Sequence, residues 1–124
     1  MRTSVDDLVR WDNAIRIGAL LRRESWEQMA KDFTLSDGSP TGYGYGWFIR
    51  RLGGNKVLEH GGDIGGFSAD TWYFPEEQIF IAVLANSIPT PPAGQAFSKK
   101  QGVTPAIAMQ FVQIGAKKRM AAPK

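Results

Sequence analysis

The strongest constraint on the fold is the stretch from Gly42 to Asn86, which alternates runs of β-branched and aromatic residues with turn signals. Such runs, bounded by glycine or proline, predict short antiparallel strands rather than helices. We expect four strands, at about 43–51, 56–61, 67–74 and 78–86. The predicted connections are the turn Gly53-Gly54-Asn55, the loop from Asp63 to Gly65 and a turn that begins at Pro75.

Helical patterns flank this stretch. Thr3 or Ser4 can cap a first helix that ends near Ile17, because apolar residues then recur every three or four positions. A second helix is predicted at 24–32, with Trp26, Met29 and Phe33 on its buried side. A third is predicted from Thr104, with Pro105 in its first turn and Gly115 as its end.

The predicted fold class is therefore α+β, an antiparallel sheet of about four strands with two N-terminal helices and one C-terminal helix. We expect residues 1–124 to form one domain, in which 88–102 is an irregular, proline-rich crossing loop and 119–124 is a frayed tail. The fourth strand is apolar on both faces, which predicts helices on each side of it.

Charge and composition exclude several functions. The net charge is +3, but the basic residues are short pairs scattered over four segments, so nucleic acid is not an expected partner. The longest apolar run, Ile79 to Ala85, is too short for a transmembrane segment. One histidine and no cysteine leave no credible metal site, and no cofactor is expected. No signal peptide is visible, and the localisation stays open.

The single histidine marks the candidate site. His60 is followed by Gly61, Gly62 and Asp63, and histidine is the residue type most used as general acid or base. Glycines without a Cβ let a ligand approach the backbone closely, both here and around Tyr43 and Tyr45 in the Gly-Tyr-Gly-Tyr-Gly run. The alternative is that His60 is a partly buried strand residue with a satisfied hydrogen bond.

The order of these motifs is similar to that of a known family. Before the His-Gly-Gly strand come Ser4-Val5-Asp6-Asp7-Leu8 with Arg10-Trp11, Leu20-Leu21, Ser25, Met29, Asp37-Gly38 and Tyr43-Gly44-Tyr45-Gly46-Trp47, and after it come Gly65-Gly66-Phe67. To about Ser87 the chain resembles the C-terminal part of the serine β-lactamase, penicillin-binding protein and esterase family. In that family the third catalytic motif is Lys-Thr-Gly or His-x-Gly.

The resemblance implies roles for these residues. His60 would line the site at the third-motif position, and the backbone amide of Asp63 would donate to the oxyanion. Gly61 and Gly62 would let an acyl substrate lie along the strand edge, with Tyr43 and Tyr45 as further substrate-binding residues. Because His-Gly-Gly lacks the lysine and the hydroxyl of Lys-Thr-Gly, esterase-like or peptidase-like relatives are favoured over β-lactamases.

The other two family motifs are absent. No serine has a lysine three positions on, and neither Tyr-x-Asn nor Ser-x-Asn occurs. The leading hypothesis is therefore the C-terminal portion of a serine hydrolase for an acyl ester, amide or β-lactam, inactive alone until a missing segment completes it. The alternatives are a non-catalytic binding or self-association module and a basic surface protein for nucleic acid or membranes. An exposed sheet predicts a homo-oligomer or a covering partner chain. Relatives are often periplasmic or exported.

Overall fold

The computed structural model describes residues 3–86 and, beyond them, Gln110 and Gln113, which are helical. The elements are, in order, α1 (Val5–Arg16), α2 (Arg23–Met29), β1 (Phe48–Leu52), β2 (Asn55–Ile64), β3 (Phe67–Phe74) and β4 (Ile79–Ala85). Two helices before four antiparallel strands confirm the predicted α+β class. The rest of the predicted C-terminal helix, the crossing loop at 88–102 and the tail at 119–124 lie outside the described residues.

Helix α1 begins where its capping residue predicts. Ser4 is the N-cap, and its hydroxyl accepts a hydrogen bond of 3.2 Å from the Asp7 amide. The Asp7 carboxylate in turn accepts from the Ser4 amide at 3.3 Å, which closes a capping box. These hydrogen bonds from Ser4 lower the pKa of the Asp7 carboxyl. The prediction of a cap at Thr3 or Ser4 is thus confirmed at Ser4.

The sheet is a meander in the order β1-β2-β3-β4. Two of its hairpins turn on glycine pairs: Gly53 and Gly54 join β1 to β2, and Gly65 and Gly66 join β2 to β3, all four with positive φ. Two-residue loops with both residues at positive φ match the twist of the flanking strands. The prediction of a loop from Asp63 to Gly65 was wrong, because the glycine pair turns the chain alone and Asp63 stays in β2.

The segment before β1 is a compact loop. We predicted a strand from Tyr43, but β1 begins at Phe48. The Tyr45 amide donates to the carbonyl of Met29 at the end of α2 (3.1 Å), and the Gly44 amide donates to the carbonyl of Trp47 (2.8 Å). These bonds curl the chain, so Tyr45 and Trp47 do not share a strand face as predicted. Trp47 is buried, whereas Tyr45 is exposed.

Each face of the sheet has its own apolar cluster. On the face that α1 and α2 cover, Trp11 and Trp26 pack against Trp47 with ring centroids 6.0 Å apart in both pairs. That cluster consists of Ala30, Trp47, Leu58 and Tyr73, with Trp26, Ile49 and Phe80 against it. The opposite cluster consists of Val57, Trp72 and Phe74, with Leu52, Ile79 and Ile81 against it. The core therefore lies around the middle of β2 and β3.

A buried carboxylate joins α1 to this core. Asp12 is 6% exposed and accepts a hydrogen bond of 2.9 Å from Nε of Arg16, one helical turn away. Burial raises the pKa of the Asp12 carboxyl, and the charge of Arg16 opposes that rise. Burial also raises the pKa of Tyr73, and the charge of Asp12 adds to the effect. Asp12 thus belongs to the packing of α1 on the sheet.

Strand β4 lies at one edge of the sheet. All seven of its residues are half-buried, and no described residue pairs with its outer side. We predicted helices on both faces of this strand. Of the two described helices, α1 packs against β4, so helical cover is described on one face. Neither described helix is long and apolar enough to cross a membrane.

Candidate functional site

The candidate site lies where β2 extends beyond β1. The pairing of β1 with β2 ends at Phe48 and Glu59, whereas β2 continues to Ile64 against β3. Within the described residues, the far half of β2 therefore has one paired side and one open side. Backbone N–H and C=O groups point to the two sides alternately along an antiparallel strand, so this edge offers unpaired donors and acceptors.

His60 is the first residue of this open edge, and its side chain is exposed. Its ring stacks on Phe48, with centroids 5.8 Å apart and planes at 25°, and it meets the Tyr43 ring at 6.3 Å. Its carbonyl accepts a hydrogen bond of 3.0 Å from the hydroxyl of Thr71 on β3. The alternative was right that His60 lies in a strand and wrong that it is partly buried, and its catalytic role stays a prediction. Two aromatic rings hold the imidazole at the surface.

Gly61 and Gly62 differ in what surrounds them. A Cβ on Gly61 would lie 3.0 Å from the carbonyl oxygen of Ala69 and 3.0 Å from a carboxylate oxygen of Asp70. A Cβ on Gly62 would meet nothing within 4 Å. The first glycine is thus needed for the close approach of β3, whereas the second leaves open space at the strand surface. Only Gly62 has the free surroundings expected beside a ligand.

Asp63 continues the open edge as an exposed residue of β2, paired with Ser68 of β3. Because β2 runs to Ile64, Asp63 lies on the same strand as His60, three residues further along. That strand spacing places the backbone of Asp63 about 10 Å from His60, at roughly 3.4 Å per residue.

The neighbouring arginines are already engaged. Nε of Arg50 contacts the Glu59 carboxylate at 2.7 Å, and its guanidinium lies over the Phe48 ring at 5.2 Å. Arg51 donates to the carbonyl of Gly54 at 2.9 Å. Both cations therefore have partners, and the Arg50 guanidinium shares the Phe48 ring with the His60 imidazole.

An aromatic pocket, which the sequence patterns did not predict as a cavity, lies next to His60. It has a volume of about 290 Å³ and is lined by Phe33, Thr41, Tyr43, Gly44 and Tyr45. Tyr43 contributes both to the pocket wall and to the ring contact with His60. Phe33, predicted in the core, is 60% exposed because α2 ends at Met29. The two predicted tyrosines thus line one pocket, and Tyr43 also contacts the His60 ring.

One carboxylate organises the loop around this pocket. Oδ1 of Asp32 accepts hydrogen bonds from the amides of Thr41 (3.1 Å) and Gly42 (2.9 Å) and from the Thr41 hydroxyl (3.1 Å). Nothing in the sequence pattern indicated this role, because the partners of Asp32 lie nine and ten positions away. Among the described residues, no group of three histidine, aspartate or glutamate side chains could hold a metal ion.

Comparison with known proteins identifies the family of this chain. The family model for Beta-lactamase matches residues 1–100. The chain therefore belongs to the beta-lactamase family, as its motifs predicted.

Two curated relatives and one solved structure are similar to it. The D-aminopeptidase of Gluconobacter oxydans (strain 621H) is 26% identical over 83 residues, and that of Brucella anthropi is 27% identical over 88. Each match covers 67% of this chain but only 16% of the relative. The octameric penicillin-binding protein homologue from Pyrococcus abyssi matches with a TM-score of 0.60 and 30% identity, over 73% of this chain and 22% of that one.

Proposed function

We propose that this chain supplies the third-motif strand to the substrate cleft of a serine hydrolase and is inactive by itself. The observation that carries the proposal is the exposed His60 at the start of an open strand edge. Ser-x-x-Lys and Tyr-x-Asn are absent from the 124 residues, so the nucleophile, its lysine and the second motif come from another segment or chain. The chain spans about a sixth of the relatives' length, which is consistent with that division.

In the completed cleft, a substrate acyl group lies along the edge from His60 to Asp63. The serine hydroxyl attacks the carbonyl carbon while the base takes its proton, and the resulting oxyanion accepts a hydrogen bond from the Asp63 amide. When the oxyanion collapses, the carbon–nitrogen bond breaks, the amine leaves with that proton, and water then hydrolyses the acyl-serine. Gly62 keeps the strand surface clear for the substrate, and His60 helps to place charge near the base. Two relatives named D-aminopeptidase favour an amide bond as the bond that is cleaved.

The experiment has two arms. The purified chain is expected to hydrolyse neither a p-nitrophenyl ester nor a chromogenic cephalosporin. The described segment, residues 3–86, is then grafted in place of the matched segment of the Gluconobacter oxydans D-aminopeptidase, and hydrolysis of a D-alanine amide is measured. His60→Ala should lower kcat/KM of the graft by about 100-fold, the loss that a misplaced catalytic group can cause.

Ile17→Ala is the control, because this side chain is 79% exposed at the C-terminal end of α1 and lies on neither β2 nor β3. It should leave kcat/KM unchanged. A folded graft that keeps full activity with His60→Ala would refute the role of His60. Turnover by the chain alone, lost in His60→Ala, would refute the proposed need for a second segment.

We also propose that the outer edge of β4 is covered by a second copy of the chain or by a partner chain. The octameric state of the Pyrococcus abyssi homologue supports this idea for the family. Sedimentation should give a species larger than the 13.7 kDa chain. A monodisperse monomer that binds no hydrophobic dye would contradict it.

A non-catalytic binding module is the second candidate. The aromatic pocket favours it, because a pocket can bind a ligand without a nucleophile. A graft that folds and binds an amide substrate but does not turn it over would support this candidate instead.

A further inference from the structure

The aromatic pocket is uncharged and lies beside the candidate edge. Its five lining residues include no acidic or basic side chain. An ionised substrate group would lose hydration there without gaining an opposite charge, which is unfavourable. Phenyl and phenol rings instead gain from contact with apolar or aromatic groups. The pocket chemistry therefore favours a neutral, apolar occupant.

The backbone fixes the shape of this pocket. The Phe33 amide donates to the carbonyl of Tyr43 at 2.8 Å, and the Thr41 amide donates to the carbonyl of Phe33 at 3.0 Å. Gly44 lies so close to α2 that a Cβ would be 2.3 Å from the carbonyl oxygen of Met29. Together with the three bonds to Asp32, these contacts hold both sides of the pocket before any ligand arrives, which lowers the entropic cost of binding.

The size of the pocket limits the occupant. A dry cavity of about 150 Å³ is enough to bind benzene. The aromatic pocket, at about 290 Å³, is larger and open to solvent, so it can take a benzyl or a branched aliphatic group with part of its attachment. The Tyr43 ring is 6.3 Å from the His60 ring, centre to centre. Tyr43 therefore links the pocket to His60.

We propose that the aromatic pocket is a specificity subsite for an uncharged apolar side group of the substrate, aromatic or branched aliphatic. The proposal rests on the proposed function, since it assigns the side-group preference of that same cleft. It identifies Phe33 and Tyr45 as residues that select the substrate. Neither lies on β2, and both are 60% exposed, so they can be truncated without opening the core.

Binding to the chain itself provides the first test. N-acetylphenylalanine amide, as each enantiomer, is titrated into ¹⁵N-labelled protein and compared with N-acetylglycine amide by amide chemical shifts. At least one enantiomer should shift the amides of Thr41, Gly44 and Tyr45 and bind about 10-fold or more tightly than the glycine probe, which lacks the side group. Equal binding of all probes, or shifts elsewhere only, would overturn the proposal.

Matched variants provide the second test. Phe33→Ala and Tyr45→Ala should each weaken the phenylalanine probe several-fold, whereas Phe67→Ala, which removes an aromatic that is 62% exposed on β3, should not. Equal weakening by all three would mean non-specific contact and would overturn the proposal.

The graft separates this proposal from the proposed function. Tyr45→Ala should lower the ratio of kcat/KM for a phenylalanine amide to kcat/KM for an alanine amide by about 10-fold, because only the larger group reaches the pocket. An equal loss on both substrates would overturn the subsite and leave the hydrolase proposal standing. Full activity in His60→Ala would instead defeat the proposed function, whatever Tyr45→Ala does.

Discussion

Gly44→Ala should be among the most destabilising single-methyl additions in the described structure. The added Cβ would lie 2.3 Å from the carbonyl oxygen of Met29, 2.9 Å from that of Lys31 and 3.3 Å from Cδ1 of Ile49. The φ angle of Gly44 is not positive, so the conflict is purely steric. Relief requires the loop to leave α2, which breaks the bond from the Tyr45 amide to Met29.

The expected magnitude follows from these two effects. Overpacking costs about 1–3 kcal/mol, and one lost hydrogen bond costs about 0.5–1.5 kcal/mol, so we expect a loss of about 2–4 kcal/mol in the free energy of unfolding. Urea unfolding is followed by tryptophan fluorescence, since Trp47 is buried beside this loop. With a urea m-value of about 1–3 kcal/mol/M, the midpoint should fall by about 0.7–4 M.

Gly62→Ala is the control for this prediction. Gly62 also lacks a positive φ, and an added Cβ would meet nothing within 4 Å. Its replacement should leave stability unchanged or raise it by up to about 1 kcal/mol, because alanine restricts the unfolded chain. Equal midpoints for Gly44→Ala and the wild type would refute the contact of this loop with α2. Gly44→Ala should also lose binding of the phenylalanine probe.

Three smaller effects can be measured in the same way. Ser4→Ala removes the cap of α1 and should cost about 1 kcal/mol of stability, with a loss of helical circular dichroism; unchanged values would contradict the capping box. Gly61→Ala should destabilise more than Gly62→Ala by about 1 kcal/mol or more, because only its Cβ meets β3; a reversed order would contradict the register of β2. Burial raises the pKa of Asp12, so the folded state holds this proton to higher pH than the unfolded state. As pH rises from 3.8 the wild type should therefore lose stability relative to Asp12→Asn, and a pH-independent difference would contradict this.

Local signals accounted for most of the fold. Glycine pairs, a serine cap and alternating apolar residues act within a few positions, so Ser4, the Gly53-Gly54 turn and the bounds of β3 could be predicted. The start of β1 could not, because the bond from Tyr45 to Met29 joins positions far apart in sequence. The end of β2 was missed for a different reason: Asp63 was assigned to the turn, although Gly65 and Gly66 make it alone.

Part of the candidate site could likewise be predicted from the sequence and part could not. The edge from His60 to Asp63 could be located from its motif, since one strand carries all four residues. The aromatic pocket could not, because its walls meet through Asp32, whose partners are Thr41 and Gly42. Tyr43 and Tyr45 were identified from the glycines around them, but their cavity depends on that carboxylate.

The composition of the edge strand β4 also affects how readily the protein aggregates before it has folded. Its sequence, Ile-Phe-Ile-Ala-Val-Leu-Ala, is seven residues long with no charge, proline or glycine. Segments of this composition stack into cross-β fibrils when they are exposed. While the chain is incompletely folded, the same run that completes the sheet is exposed and is an aggregation hazard. Folding rate and chaperone access, rather than equilibrium stability alone, would then set its soluble yield.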